Sequence, residues 1–143
     1  MGTNLLINGH NLHVERQGSK DSPAVVLLHH GLGSVRAWKE HVPVLVQAGY
    51  QVMSYDRWGY GASDTRLALD LPTFTSDVQD LGAILDTLGI QKAALVGHSD
   101  GGTLALYFAV QHPKQVTCLV LVAAHIYVEA KMEPGILGVK GAF

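Results

Sequence analysis

The sequence has a single cysteine, Cys118, so no disulfide can form within the chain. That thiol stands in the apolar run Thr117-Cys118-Leu119-Val120-Leu121-Val122, where it is expected to be buried as a small hydrophobe. Charge is scarce: Asp, Glu, Lys and Arg make up 15% of the residues, and 10 basic side chains against 12 acidic ones leave a net charge of -2. A balance so close to neutral offers no electrostatic footprint for nucleic acid or for an anionic membrane surface. Long hydrophobic runs are missing too, each being interrupted well short of the ~18 residues a membrane helix requires. The first residues, Met1-Gly2-Thr3-Asn4-Leu5-Leu6, hold neither a basic stretch nor an extended apolar one, and Leu6 stands where a myristoylation signal has Ser or Thr. The expectation is a soluble, cytoplasmic protein with no nucleic-acid or membrane partner.

What is present is apolar and rich in turns. Hydrophobic residues make up 48% of the 143 positions, which excludes a disordered chain. A compact domain of this length buries roughly 68–70% of its unfolded surface, so residues 1–143 are read as one domain with one core. The stretch from Asn4 to Gln17 alternates around Asn8-Gly9, a hairpin signal. Ala24 to Leu28 is a continuous apolar run suited to a strand buried on both faces. Trp38, Val42, Leu45 and Val46 recur at helical spacing up to Gly49, with Pro43 expected to kink that helix.

The alternation continues with a strand over Tyr50 to Tyr55 and a helix over Leu71 to Gly89. Phe74, Val78, Leu81, Leu85 and Leu88 form the stripe of that helix; Ser76 and Gln79 fit a capping box and Gly89 fits its C-terminal stop. A strand over Ala93 to Val96, a helix over Gly101 to Gln111 ending before Pro113, and a strand over Val116 to Ala123 complete the series. Alternating β and α units predict an α/β fold: a doubly wound, mostly parallel sheet carrying an N-terminal antiparallel hairpin.

Gly97-His98-Ser99-Asp100-Gly101 matches G-x-S-x-G, directly after a buried strand and at the opening of a helix. The glycines suit a sharp turn in which the backbone at positions 97, 101 and 102 comes too close for a Cβ. Such a turn aims the Ser99 hydroxyl outward, making it the candidate nucleophile, and the helix that follows favours negative charge nearby. Acyl transfer also needs two backbone N–H donors for an oxyanion. The N–H of Asp100 and, from the loop His29-His30-Gly31-Leu32-Gly33, the N–H of Leu32 are assigned to that role.

These motifs, with Asp56-Arg57-Trp58-Gly59-Tyr60-Gly61-Ala62-Ser63 as a third element like D-x-x-G-x-G-x-S, resemble the α/β-hydrolase superfamily over nearly the whole chain. The resemblance implies hydrolysis of a small-molecule carboxylic ester through Ser99 and an acyl-enzyme, with no cofactor. It also implies that Asp56 orders its loop rather than acting as a catalytic acid.

The superfamily order is Ser, then Asp or Glu, then His. After Ser99 the acids are Asp100, Glu129 and Glu133 and the histidines are His112 and His125, so no acid beyond the turn precedes a histidine. The resemblance therefore implies a core truncated after the sixth strand, without the lid region and last strands. Three explanations stand. The chain is a short enzyme recruiting an unusual base, with His125 or His30 as candidates ahead of His98 and with His112 as a helix-end cap. Alternatively, the bare edge of the Val116 to Ala123 strand pairs with another copy, giving a homodimer or larger assembly. In the third explanation the chain is an inactive fragment that binds rather than reacts. Eight histidines raise the question of metal, but their spacing matches no common ligand motif, and no metal is expected.

Overall fold

The chain reverses first at Asn8-Gly9, and that turn builds one edge of the sheet. The computed structural model describes residues 2–68 and 74–124. Strands β1 (Gly2–Ile7) and β2 (His10–Gln17) pair antiparallel, with Ile7 opposite His10 and with positive φ at both Asn8 (50°) and Gly9 (89°). This is the two-residue turn that Asn-Gly favours, because its twist matches that of the flanking strands.

Four more strands follow: β3 (Ala24–Leu28), β4 (Gln51–Tyr55), β5 (Ala93–His98) and β6 (Val116–Val122). The sheet runs β1-β2-β4-β3-β5-β6; β2 meets β4 antiparallel, and the four strands from β4 to β6 are mutually parallel. Helices α1 (His41–Gln47), α2 (Thr75–Leu88) and α3 (Asp100–Gln111) connect them. This is the doubly wound α/β class expected, with its N-terminal antiparallel hairpin.

Because side chains alternate across a strand, β3 feeds two cores. Val25 and Leu27 join Trp38, Val42 and Val52 on the α1 face, whereas Val26 and Leu28 join Met53, Leu81, Ile84, Leu95, Leu104 and Phe108 under α2 and α3. A strand covered on both sides reads as an unbroken apolar run, and every residue of β3 is buried. The hairpin tip is tied to α2: Asp80 accepts hydrogen bonds from Asn8 Nδ2 at 2.9 Å and from the His10 ring at 2.8 Å, and Trp58 stacks on that ring at 3.9 Å.

Four local expectations are corrected. The helix expected from Trp38 to Gly49 is divided into a 3₁₀ turn, Val35–Trp38, and the short α1. Pro43 produces no kink, because it lies in the first turn of α1, where backbone N–H groups have no intrahelical partner. Ser76 and Gln79 form no capping box: the helix begins after Phe74, which adopts φ 53° and contributes no side-chain cap, so both polar residues lie inside α2. At the other end Gly89, at φ 69°, closes α2 as expected, and Ile90 N–H donates to the Leu85 carbonyl at 2.9 Å. Cys118 is exposed rather than buried, since among the described residues β6 is the outermost strand, and its Val120 and Val122 are each 48% exposed. Among the described residues no helix is long and apolar enough to cross a membrane.

Candidate active site

The carboxyl ends of β3, β4 and β5 converge on the turn that joins β5 to α3. Ser99 occupies that turn at φ 55°, ψ −121°, a conformation that a residue bearing a Cβ seldom adopts. The surroundings hold it there. Ser99 N–H donates to the Val122 carbonyl at 2.7 Å, and the N–H groups of Gly102 and Thr103 donate to the Ser99 carbonyl at 2.9 and 3.2 Å.

The approach of strand, turn and helix explains the glycines. A Cβ on Gly97 would fall against the Gly101 carbonyl oxygen and 2.5 Å from Gly102 Cα; one on Gly101 would strike the Leu28 carbonyl oxygen and lie 2.5 Å from that of His29. These are backbone atoms, which have no rotamer through which to yield. Ser99 itself is half-buried, at the N-terminus of the twelve-residue α3, where the helix dipole favours an anion.

The loop after β3 lies beside this turn. Gly33 N–H donates to the His30 carbonyl at 2.9 Å, and Leu32 N–H donates to His30 Nδ1 at 3.2 Å. The Leu32 donor assigned to an oxyanion is therefore engaged within its own loop. A ring nitrogen that accepts carries no proton, so this geometry assigns the neutral His30 proton to Nε2. His98, just before Ser99, meets the His30 ring edge-on at 5.0 Å.

Asp100, the residue assigned the other donor, is buried on its side-chain end. Its Oδ2 accepts from Arg57 Nη2 at 2.9 Å, and Arg57, only 1% exposed, also donates from Nη2 to the His29 carbonyl at 3.1 Å. Asp100 Oδ1 and Arg57 Nε have no hydrogen-bond partner among the described residues. Tyr60 lies under the guanidinium, 4.7 Å from ring centroid to Cζ.

His29 completes the seam between the loops after β3 and β4. Its Nδ1 meets the His30 carbonyl at 2.7 Å and so carries the proton, while Nε2 accepts from Arg57 N–H at 3.0 Å. Burial, and secondarily the Arg57 charge, hold its pKa down at about 4. It is a neutral brace. Asp56 is a brace of the other kind: its Oδ1 accepts from Val35 N–H at 2.7 Å, its Oδ2 from Ala62 N–H at 2.8 Å, and its carbonyl from the Ser63 hydroxyl. Both carboxylate oxygens are thereby engaged in loop order, as expected of that residue.

Of the remaining histidines, His112 terminates α3 through its backbone N–H to the Phe108 carbonyl at 2.8 Å, as expected. His125 lies outside the described residues. A cleft of about 540 Å³ opens between β2 and the loops at Ser34–Arg36 and Asp56–Ala62, so it is lined by neither Ser99 nor Asp100. Among the described residues no three His, Cys, Asp or Glu side chains converge as metal ligands. The Arg57–Asp100 pair and the His29 brace were missed by sequence reasoning. Their one available signal was an Arg and an Asp, each set among the apolar and glycine positions of a motif.

The sheet order and the strained serine turn define a hydrolase-type α/β core, and the chain belongs to the alpha/beta hydrolase fold family, whose model matches residues 23–138. It is 35% identical over 123 residues to epoxide hydrolase 2 of Siraitia grosvenorii, covering 86% of this chain and 38% of that protein. It is 32% identical over 114 residues to the 2-hydroxy-6-oxononadienedioate/2-hydroxy-6-oxononatrienedioate hydrolase of Comamonas testosteroni, covering 78% of this chain and 40% of that protein. The crystal structure of epoxide hydrolase A from Mycobacterium thermoresistibile superposes with a TM-score of 0.79 at 32% identity, over 85% of this chain and 38% of that one. The chain thus spans about two fifths of the length of these relatives.

Proposed function

We propose that this chain carries the nucleophile portion of a hydrolase that cleaves carboxylic esters: Ser99 attacks the acyl carbon, the ester C–O bond breaks, the alcohol leaves with the serine's proton, and water then cleaves the acyl-enzyme to release the acid. The observation that carries the reading is Ser99 itself, held at φ 55°, ψ −121° between β5 and the N-terminus of α3. Several relatives are named as epoxide hydrolases, yet the chemistry of a serine argues against that substrate here. Opening an epoxide with a serine oxygen would leave an alkyl ether, which offers water no acyl carbon to attack. Serine attack on an ester leaves an ester, which water can cleave. Membership of the hydrolase family and the serine together therefore favour acyl compounds.

The assigned oxyanion donors are the N–H groups of Asp100 and Leu32. Releasing Leu32 N–H requires that it leave His30 Nδ1 for the developing oxyanion. That same bond favours a second reading, an inert chain whose oxyanion loop is satisfied within itself. A parallel assay of p-nitrophenyl butyrate and styrene oxide separates them. Turnover of the ester alone, lost in Ser99→Ala, supports the proposal. Turnover of the epoxide, or ester turnover surviving in Ser99→Ala, contradicts it, and inertness toward both favours the second reading.

A further inference from the structure

Arg57 lies outside both loops that would form an oxyanion hole, and its side chain bonds to each of them. It enters from the loop after β4, 1% exposed, and its Nη2 donates to Asp100 Oδ2 on the serine turn at 2.9 Å and to the His29 carbonyl on the loop after β3 at 3.1 Å. Its own backbone N–H donates to His29 Nε2 at 3.0 Å. The Asp100 carboxylate also lies against the loop after β3, since a Cβ on Gly31 would sit 3.0 Å from Asp100 Oδ2. A full negative charge is thus buried on the residue whose backbone N–H is assigned to bind another negative charge.

We propose that Arg57 is a positioning residue for oxyanion stabilisation, cancelling the Asp100 carboxylate and clamping the two donor-bearing loops at one spacing. The inference rests on the reading of Ser99 as an acyl-transfer nucleophile. Two effects follow from the geometry. An Asp100 carboxylate without its counter-charge would repel the tetrahedral oxyanion in a region of low dielectric, where such terms are large. Without the bond to the His29 carbonyl, the loop bearing Leu32 would lose a tether to the serine turn. Both act where charge develops in the transition state, not where the ester docks. Arg57 thereby acts through Asp100 and His29 rather than on substrate.

The test compares the parent with Arg57→Met, Arg57→Lys and the pair Arg57→Met with Asp100→Asn, using p-nitrophenyl butyrate turnover and fluorophosphonate labelling of Ser99. Circular dichroism and unfolding midpoints confine the comparison to folded protein. The expected result is a kcat about 10²-fold lower in Arg57→Met with KM unchanged, comparable to removal of one oxyanion donor. Arg57→Lys keeps the charge and regains part of kcat. The paired variant, neutral at both positions, regains kcat over Arg57→Met. Folded Arg57→Met with parental kcat overturns the inference, as does a loss that neither of the other variants repairs. A parent that neither turns over nor labels overturns the nucleophile reading itself, an outcome distinct because it precedes any variant.

Discussion

Acid should weaken this fold in part through His29. The ring is fully buried, with Nδ1–H on the His30 carbonyl and Nε2 accepting from Arg57 N–H, so neither nitrogen is free to take a proton without breaking a bond. Its pKa falls from 6.5 to about 4, chiefly because burial penalises the cation and further because Arg57 repels it. At about 1.4 kcal/mol per pKa unit, that drop corresponds to about 3 kcal/mol of stability. A group whose folded pKa is depressed and whose neutral form is the base binds fewer protons folded than unfolded. The contribution is therefore complete above pH 6.5, is lost as pH falls toward 4, and changes no further below that. Urea unfolding at a series of pH values from 7.5 to 4 measures the slope, and His29→Gln, whose amide offers one donor and one acceptor, supplies the control. Every other titrating group is common to both proteins, so the difference between the two slopes isolates His29. Identical slopes in parent and variant would refute the assignment of a buried, neutral imidazole.

Two further predictions concern the serine turn. Ser99→Gly relieves the positive φ of 55° and should raise stability by about 1 kcal/mol in urea unfolding while abolishing labelling, so strain and reactivity separate in one variant. In Gly101→Ala the new methyl meets the Leu28 and His29 carbonyl oxygens, and unfolding should show a loss at or above the ~1–3 kcal/mol typical of overpacking; a midpoint equal to the parent's would mean that β3 and the turn are less closely apposed.

Local chemistry accounts for what was legible in the sequence. Asn8-Gly9 specifies its hairpin through the residues of the turn alone, and the unbroken run from Ala24 to Leu28 follows from burial on both faces. The serine turn was legible because its glycines keep a fixed short spacing and Gly97 answers a local steric demand, a Cβ there falling against Gly101 and Gly102. What was not legible depends on residues far apart. Arg57 and Asp100 are 43 positions from each other, and no local pattern marks them as partners. Cys118 was misread for the same reason: its apolar run resembles that of β3, but strand order among the described residues places β3 at the centre and β6 outermost. Pro43 was misread because the helix start, which decides whether a proline kinks or merely opens a helix, is set by the preceding 3₁₀ turn.

The central claim is that the β5–α3 turn presents Ser99 as a nucleophile. Its most direct test is intact-mass analysis, then peptide mapping, of the purified chain and of Ser99→Ala after exposure to a fluorophosphonate. The account predicts one adduct on the parent, mapped to the peptide containing Gly97-His98-Ser99-Asp100-Gly101, and none on the variant. An unmodified parent, or an adduct that persists in Ser99→Ala, contradicts it.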